Sequence, residues 1–293
     1  MVKVDLSGWA WSSFGPDADD TPEPVRPSPA RPSLPQIDVG GARVDLCSAQ
    51  TLLTLVGDRL CAEDQAPLYV AWATLDHLYH FGRRGRHRGL ISGADWLVLL
   101  DSMPVVATAR RLTGRRWEQL AGSDLLPELL DVAVEAGARI AFLGGRPEMH
   151  ERLRATLGEG WPALQIAGWW APLRAELSDA EQAEGLAEQI RRSRADLLVV
   201  CLSKPLQELF LARYGWLTGV RVALAFGAAA DFLADEVRQA PGLLRRLRLE
   251  WSSRLALEPR RLARRYLLQR PRALLDMRIR SRVVPRDPTL GHR

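Results

Sequence analysis

The chain has 293 residues, with 40 Lys and Arg against 35 Asp and Glu and a formal net charge of +5, so it is long enough for one large or two small α/β domains with a real core. No run approaches the roughly 20 apolar residues that span a bilayer, and "MVKVDLSGWAWSSFGPDADD" lacks the continuous apolar core of a secretory signal. The expectation is a cytoplasmic protein whose membrane contact is peripheral.

Residues 1–36 include "PDADDTPEPVRPSPARPSLPQ", too rich in Pro, Asp and Ser and too poor in apolar residues to repay ordering, and read as a disordered tail. Trp9, Trp11 and Phe14 within it could dock on a partner or be incidental. From residue 37, short apolar runs alternate with helical patterns. The runs predict strands at 67–74, 96–100, 138–144, 164–168, 196–202 and 220–226. Between them, "SDLLPELLDVAVEAG" predicts a helix with Ser123 at the N-cap and Gly137 just past its end. Buried strands alternating with helices mean an α/β, Rossmann-like fold with a mainly parallel sheet covered on both faces. Cys47, Cys61 and Cys201 are widely spaced in apolar contexts and read as reduced core thiols.

Ligands of such sheets sit at the carboxyl ends of the strands, which puts weight on the residues just after each run. Four of these ends carry signals: "ATLDH", "LLDSMP", "FLGGRPEMHERL" and "AFGAAADFLA". Gly144 and Gly145, followed by Pro147, form a turn into a helix whose N–H groups could cradle a diphosphate, although strand-end glycines also serve packing alone. The turn lacks the GxGxxG pattern of dinucleotide oxidoreductases. Asp101 directly follows "WLVLL", where its carboxylate could act as a tuned base or cap the helix that begins near Pro104. Thr74 and Asp76 have the same two readings. His77, His80 and His87 have no matching carboxylate or Cys set for a metal, and a solvated helix face is the default. No cofactor is expected.

The last fifth, "RLRLEWSSRLALEPRRLARRYLLQRPRALLDMRIRSR", sets Arg among Leu, Trp, Ala and Tyr at helical spacing. Residues 239–293 therefore read as an Arg-rich, amphipathic helical appendage, suited either to an anionic membrane surface or to simple packing on the sheet with a basic face in water.

Six ordered blocks, "ADWLVLLDSMPVV", "EQLAGSDLL", "IAFLGGRPEMHERL", "DLLVVCLSKPLQELFL", "GAAADFLADEVRQAP" and "RLEWSSRLALEPRRLARRYL", resemble the WecG/TagA/CpsF glycosyltransferases from about residue 38 to about 275. The resemblance implies transfer of an N-acetylhexosamine, typically N-acetylmannosamine or its uronic acid, from a UDP-sugar to a polyprenyl-diphosphate-linked acceptor. The reaction would invert the anomeric carbon at the cytoplasmic membrane face, without a DxD metal motif. By the same resemblance, residues 37–238 are the nucleotide-sugar-binding catalytic domain. Asp101 matches the family's proposed base, Thr74 its active-site threonine, Gln207 the polar residue of its "PxQE" block and Asp231 a uracil contact. Arg254, Arg261 and Arg264 match the arginines of the C-terminal appendage; spaced seven and three apart, they share a helical face that would point to the leaving UDP. Asp76, Ser102, Gln119 and Ser203 stand where family members usually have Asn, Gly, Arg and Gly. A carboxylate at 76 would raise the pKa of a neighbour or repel a diphosphate.

Two other classes compete. A non-catalytic nucleotide-sugar-binding scaffold or regulator is motivated by those four substitutions. Nucleic-acid binding through the Arg-rich end ranks last, because no exposed aromatic pattern or recognisable motif accompanies the charge. The sequence leaves self-association as a homo-oligomer open.

Overall fold

The structure, a computed structural model, describes residues 34–62, 66–93, 95–227 and 270–284. The expected tail up to residue 33 lies outside them, as do Asp231, Arg254, Arg261 and Arg264.

The chain opens on a hairpin, β1 (Gln36–Val39) and β2 (Ala42–Asp45), turned by Gly40 and Gly41 at φ 60° and 92°. A side chain at Gly41 would strike the backbone of Arg83, so this turn is closely packed as well as left-handed. Then come α1 (Ala49–Cys61), β3 (Leu68–Ala73), α2 (Leu75–Phe81), β4 (Trp96–Leu100), α3 (Met103–Thr113), α4 (Gly122–Glu135), β5 (Arg139–Gly144) and α5 (Pro147–Gly160). They are followed by β6 (Gln165–Trp170), α6 (Arg174–Ser178), α7 (Ala180–Ser193), β7 (Leu197–Cys201), α8 (Leu206–Tyr214) and β8 (Val222–Leu224). After the undescribed stretch, α9 (Arg270–Arg280) leads into β9 (Arg282–Val283).

Six strands form one sheet in the order β4-β3-β8-β7-β5-β6, every neighbouring pair parallel. All six expected strands are present: β3, β4, β5, β7 and β8 are apolar runs buried on both faces, while β6, at the edge of the sheet, is half-exposed. Alternate residues feed two cores. Ala71, Val98, Leu143 and Val200 pack with α2, α3, α7 and α8 through Leu78, Val106, Ile190 and Phe210. Val70, Leu97, Phe142 and Val199 pack with α1, α4 and α5 through Val56, Leu129 and Leu153. Fully burying one such side chain is worth about 1.5–3 kcal/mol, and a charge at Val199, between two helical layers, would be among the most disruptive single changes.

The expected helix near residue 123 starts earlier than its Ser123 signal. Leu120 N–H is held by Leu100 O at 2.7 Å, which pins the chain so that Ala121 takes the N-cap position. Gly137 does follow the helix in the left-handed conformation, at φ 62°.

The first small sheet, β2-β1-β9, was not anticipated. Its strands are two to four residues long, too short for alternation to register. It shields the open edge of β4: Asp45 accepts from Val98 N–H at 2.8 Å and from Gln36 Nε2 at 2.8 Å. The described end of the expected appendage is helical and is tied to the body. Ala273 and Met277 of α9 are buried in the core that holds Ile37 and Phe81, and β9 pairs with β1. Of the three cysteines, Cys47 is buried, Cys61 is exposed at the end of α1 and Cys201 is half-buried at the end of β7, and none of the three forms a disulfide among the described residues. Only Cys47 is thus a core thiol; the other two sit where an element ends and the packing opens.

Candidate active site at the carboxyl edge of the sheet

Helices following adjacent strands leave on opposite faces between β5 and β7, since α5 packs in one core and α8 in the other. That divergence opens a crevice at the carboxyl ends, the usual ligand position in this architecture. Gly144 and Gly145 line it at φ 95° and 84°. A Cβ on Gly144 would lie 2.8 Å from the Cys201 backbone, and one on Gly145 would overlap Met149. Both glycines are therefore required for backbone shape and packing. His150 fixes the turn, its Nε2 2.7 Å from Gly144 O and its ring 5.2 Å from that of Trp169. Arg146 takes the N-cap and Pro147 the first turn of the 14-residue α5, whose N–H groups face the crevice end of the sheet.

At the other half of the edge, Asp101 follows β4. Ser102, not Asp101, occupies the N-cap position of α3 and makes no side-chain capping bond. The capping reading of Asp101 is thereby removed. Its carboxyl is pushed up to about 6, first by burial and to a smaller extent by Asp124, while Lys204 and a hydrogen bond from Gln119 oppose the rise. Burial disfavours the charged form, and the neighbouring cation and donor partly restore it. Asp124 of α4 is a like charge near Asp101, and Asp76 has its Oδ1 3.9 Å from His80 Nε2.

Thr74 caps α2, its Oγ1 accepting from His77 N–H at 3.2 Å. The capping reading therefore holds for Thr74, at a position that still faces the site edge. The solvated face expected for the histidines is not seen: His77 and His80 are 1% and 8% exposed. Burial under α9 and against the end of β3 explains the difference, because α9 packs across α2. His77 is held well below the usual imidazole range by burial, then by Lys204 and His80, and so is neutral.

Gln207 opens α8 fully buried; its Nε2 donates to Ala225 O at 2.7 Å and to Glu208 Oε1 at 3.1 Å. Lys204 donates to the same Glu208 oxygen. The sequence reading missed Lys204 and Glu208. Only Lys3 and Lys204 of the chain's 40 basic residues are lysine, and that rarity was the available signal.

The edge holds several buried polar atoms with no hydrogen-bond partner among the described residues: His77 Nδ1, Ser102 Oγ, Gln207 Oε1 and Glu208 Oε2. Each such orphan costs about 1–3 kcal/mol unless something fills its bonding capacity. Their concentration at one edge of the sheet is what a polar ligand rich in hydroxyl and amide groups would satisfy. The four departures Asp76, Ser102, Gln119 and Ser203 all fall here too, at the ends of β3, β4 and β7 or on the loop that bonds Asp101. Among the described residues no group of three or more His, Cys, Asp or Glu is placed to hold a metal ion.

A sequence profile described as the glycosyl transferase WecG/TagA/CpsF family matches residues 37–287. A curated relative from Bacillus subtilis (strain 168) is 31% identical over 164 residues, 55% of this chain and 61% of its own length. Another, from Bacillus spizizenii, is 30% identical over 179 residues, 60% of this chain and 66% of its own. Both are named N-acetylglucosaminyldiphosphoundecaprenol N-acetyl-beta-D-mannosaminyltransferase. The match spans less than two thirds of each relative.

Proposed function

This chain belongs to the WecG/TagA/CpsF family of glycosyl transferases, and from that premise we propose that it is an inverting glycosyltransferase. It moves an N-acetylmannosamine-type sugar from a UDP-sugar to a polyprenyl-diphosphate-linked sugar, in the synthesis of a cell-surface polysaccharide or teichoic-acid-like polymer. The two curated relatives are named for an acceptor and a sugar of this kind. The observation that carries the proposal is Asp101: a carboxyl at the carboxyl edge of a parallel sheet, raised to about 6 by burial and set among orphaned polar atoms.

A base of that pKa is ionised at neutral pH yet still basic enough to accept a proton from an acceptor hydroxyl. In the proposed step, Asp101 takes that proton as the hydroxyl oxygen attacks the anomeric carbon. The bond from that carbon to the UDP oxygen breaks on the opposite face, which inverts the centre. The turn at Gly144 and Gly145 and the N-terminus of α5 receive the diphosphate. Gln207, Asp76 and Thr74 line the sugar side, Asp231 holds the uracil, and Arg254, Arg261 and Arg264 neutralise the leaving UDP; these last four lie outside the described residues. A purely binding scaffold would have no use for a desolvated carboxyl poised near neutrality, so catalysis is the better account of Asp101.

The acceptor's lipid requires the protein to work at a membrane, and we place it on the inner face of the cell membrane, held peripherally by residues 239–293. No helix of the described residues is long and apolar enough to cross a membrane. What supports docking is the outer face of α9. Leu275 and Ile279, one turn apart, are 54% and 67% exposed, beside exposed Arg272, Arg278 and Arg282, with Arg83, Arg84, Arg86 and Arg88 exposed on the loop after α2. Apolar residues rimmed by arginine suit an anionic leaflet, where each cation is worth about 1 kcal/mol.

The test is incubation with a panel of UDP-sugars and a short polyprenyl-diphosphate-linked N-acetylglucosamine, with product mass measured. Gain of one N-acetylhexosamine supports the proposal. Retained UDP binding with no product from any donor would favour the scaffold.

A further inference from the structure

The strand beside the Gly144–Gly145 turn is irregular. β6 pairs with β5 so that Ile166 stands opposite Ile140 and Gly168 opposite Ala141, and Ala167 is an extra residue taken up in a bulge. Paired regularly from Ile166 onward, Trp169 would stand opposite Leu143 and turn to the face that α7 covers. The bulge instead sets it opposite Phe142, on the face that α5 covers. There its indole stacks on Phe142 at 4.4 Å and 11°. The His150 ring lies 5.2 Å away and the Arg154 guanidinium 4.9 Å from the indole centroid. His150 and Arg154 are one turn apart on α5, so both side chains lie along the same aromatic surface.

His150 in turn orients a peptide group. A carbonyl only accepts, so the 2.7 Å contact with Gly144 O means that Nε2 carries the proton. In a planar trans peptide the C=O and the following N–H point in opposite directions, so holding Gly144 O at the imidazole turns Gly145 N–H away from it. Two glycines in succession offer little resistance of their own to a flip of that peptide. The flip would set a carbonyl oxygen where an anion needs a donor.

We infer that Trp169 is a positioning residue for the proposed donor site: aimed by the bulge at Ala167, its ring holds His150 against Gly144 O and so keeps Gly145 N–H turned to the diphosphate. This rests on the assignment of the Gly144–Gly145 turn to the diphosphate. Trp169 acts only through His150, and the edge strand thereby contributes to a site that it does not itself line.

The experiment uses the full chain labelled with nitrogen-15 histidine and follows the exchange-protected Nε2–H signal of His150, assigned by its loss in His150→Leu. UDP affinity is measured by calorimetry on the same samples. Trp169→Leu keeps apolar bulk without a flat ring, and Trp169→Phe keeps a flat ring. In Trp169→Leu the protected signal should disappear and UDP affinity should fall about tenfold, as for loss of one hydrogen bond to a charged group. In Trp169→Phe both should stay close to wild type. Trp169→Met, whose flexible side chain fills irregular space, stands in with the same expectation should the leucine variant not fold. A tryptophan that serves packing alone would lower the melting temperature and leave both readouts of the folded protein as they were. Either a retained signal or an unchanged UDP affinity in the folded leucine or methionine variant overturns the inference. Failure of the underlying diphosphate assignment is read separately, as wild-type UDP affinity in His150→Leu.

Discussion

Gln207 and Ala225, 18 residues apart, are joined at 2.7 Å by the side-chain amide of one and the carbonyl of the other. The bond ties the start of α8 to the end of β8 and leaves Gln207 Oε1 a buried acceptor with no partner among the described residues. Gln207→Leu would strand Ala225 O and remove a donor from Glu208. The expected cost is about 1–3 kcal/mol in a denaturant titration, accompanied by weaker UDP-sugar binding in calorimetry. Unchanged binding would place the sugar away from α8.

Asp101 carries a conflict between stability and activity. Its folded pKa, about 6, lies above the ordinary 3.8, so the folded state holds the proton more tightly than the unfolded one. Ionisation therefore penalises folding: the penalty is absent below about pH 3.8, grows through about pH 6 and is constant above it. Asp101→Asn should be more stable than wild type at pH 8 by up to about 3 kcal/mol, with the gain vanishing in acid. Thermal melts at several pH values would check this, and equal melting at all of them would remove the buried-carboxylate account. Transfer by the wild type should rise through about pH 6 to a plateau.

The turn at Gly144 and Gly145 cannot be tested cleanly by substituting the glycines, since both have positive φ and any side chain there brings strain. His150 offers a better handle through its 2.7 Å contact with Gly144 O. His150→Leu should cost about 1–2 kcal/mol of stability and weaken UDP binding several-fold, while the denaturant slope stays that of the wild type. UDP affinity equal to wild type would move the diphosphate off this turn.

Truncating the chain at residue 240 would remove β9 and the buried Ala273 and Met277 as well as any lipid-binding face. Point changes on the exposed side of α9 separate the two. Leu275→Glu with Ile279→Glu should leave the melting temperature within a degree or two, as exposed substitutions do, and should abolish cosedimentation with anionic vesicles. Binding equal to wild type would show that α9 does not face lipid.

The parallel sheet was legible because its six strands are apolar runs of five to eight residues, four of them followed by a polar or glycine signal. Asp101, Gly144, Gly145 and Gln207 were legible because the carboxyl ends of such strands are where ligands go. Thr74 and Ser123 show the limit of capping signals: Thr74 does cap, while Ser123 is displaced by the bond that holds Leu120 to Leu100. Lys204 and Glu208 were missed because a charged pair four residues apart reads as a solvated helix face, and only the packing shows it to be interior. The β1–β9 pairing joins residues near opposite ends of the chain, which no local pattern encodes.

The most direct measurement compares single-turnover transfer by wild type and Asp101→Asn on a polyprenyl-diphosphate-linked acceptor at about pH 8, with UDP affinity determined on the same samples. The account predicts equal UDP affinity and a rate lower by about two to four orders of magnitude in the variant. Transfer by Asp101→Asn at the wild-type rate would contradict it.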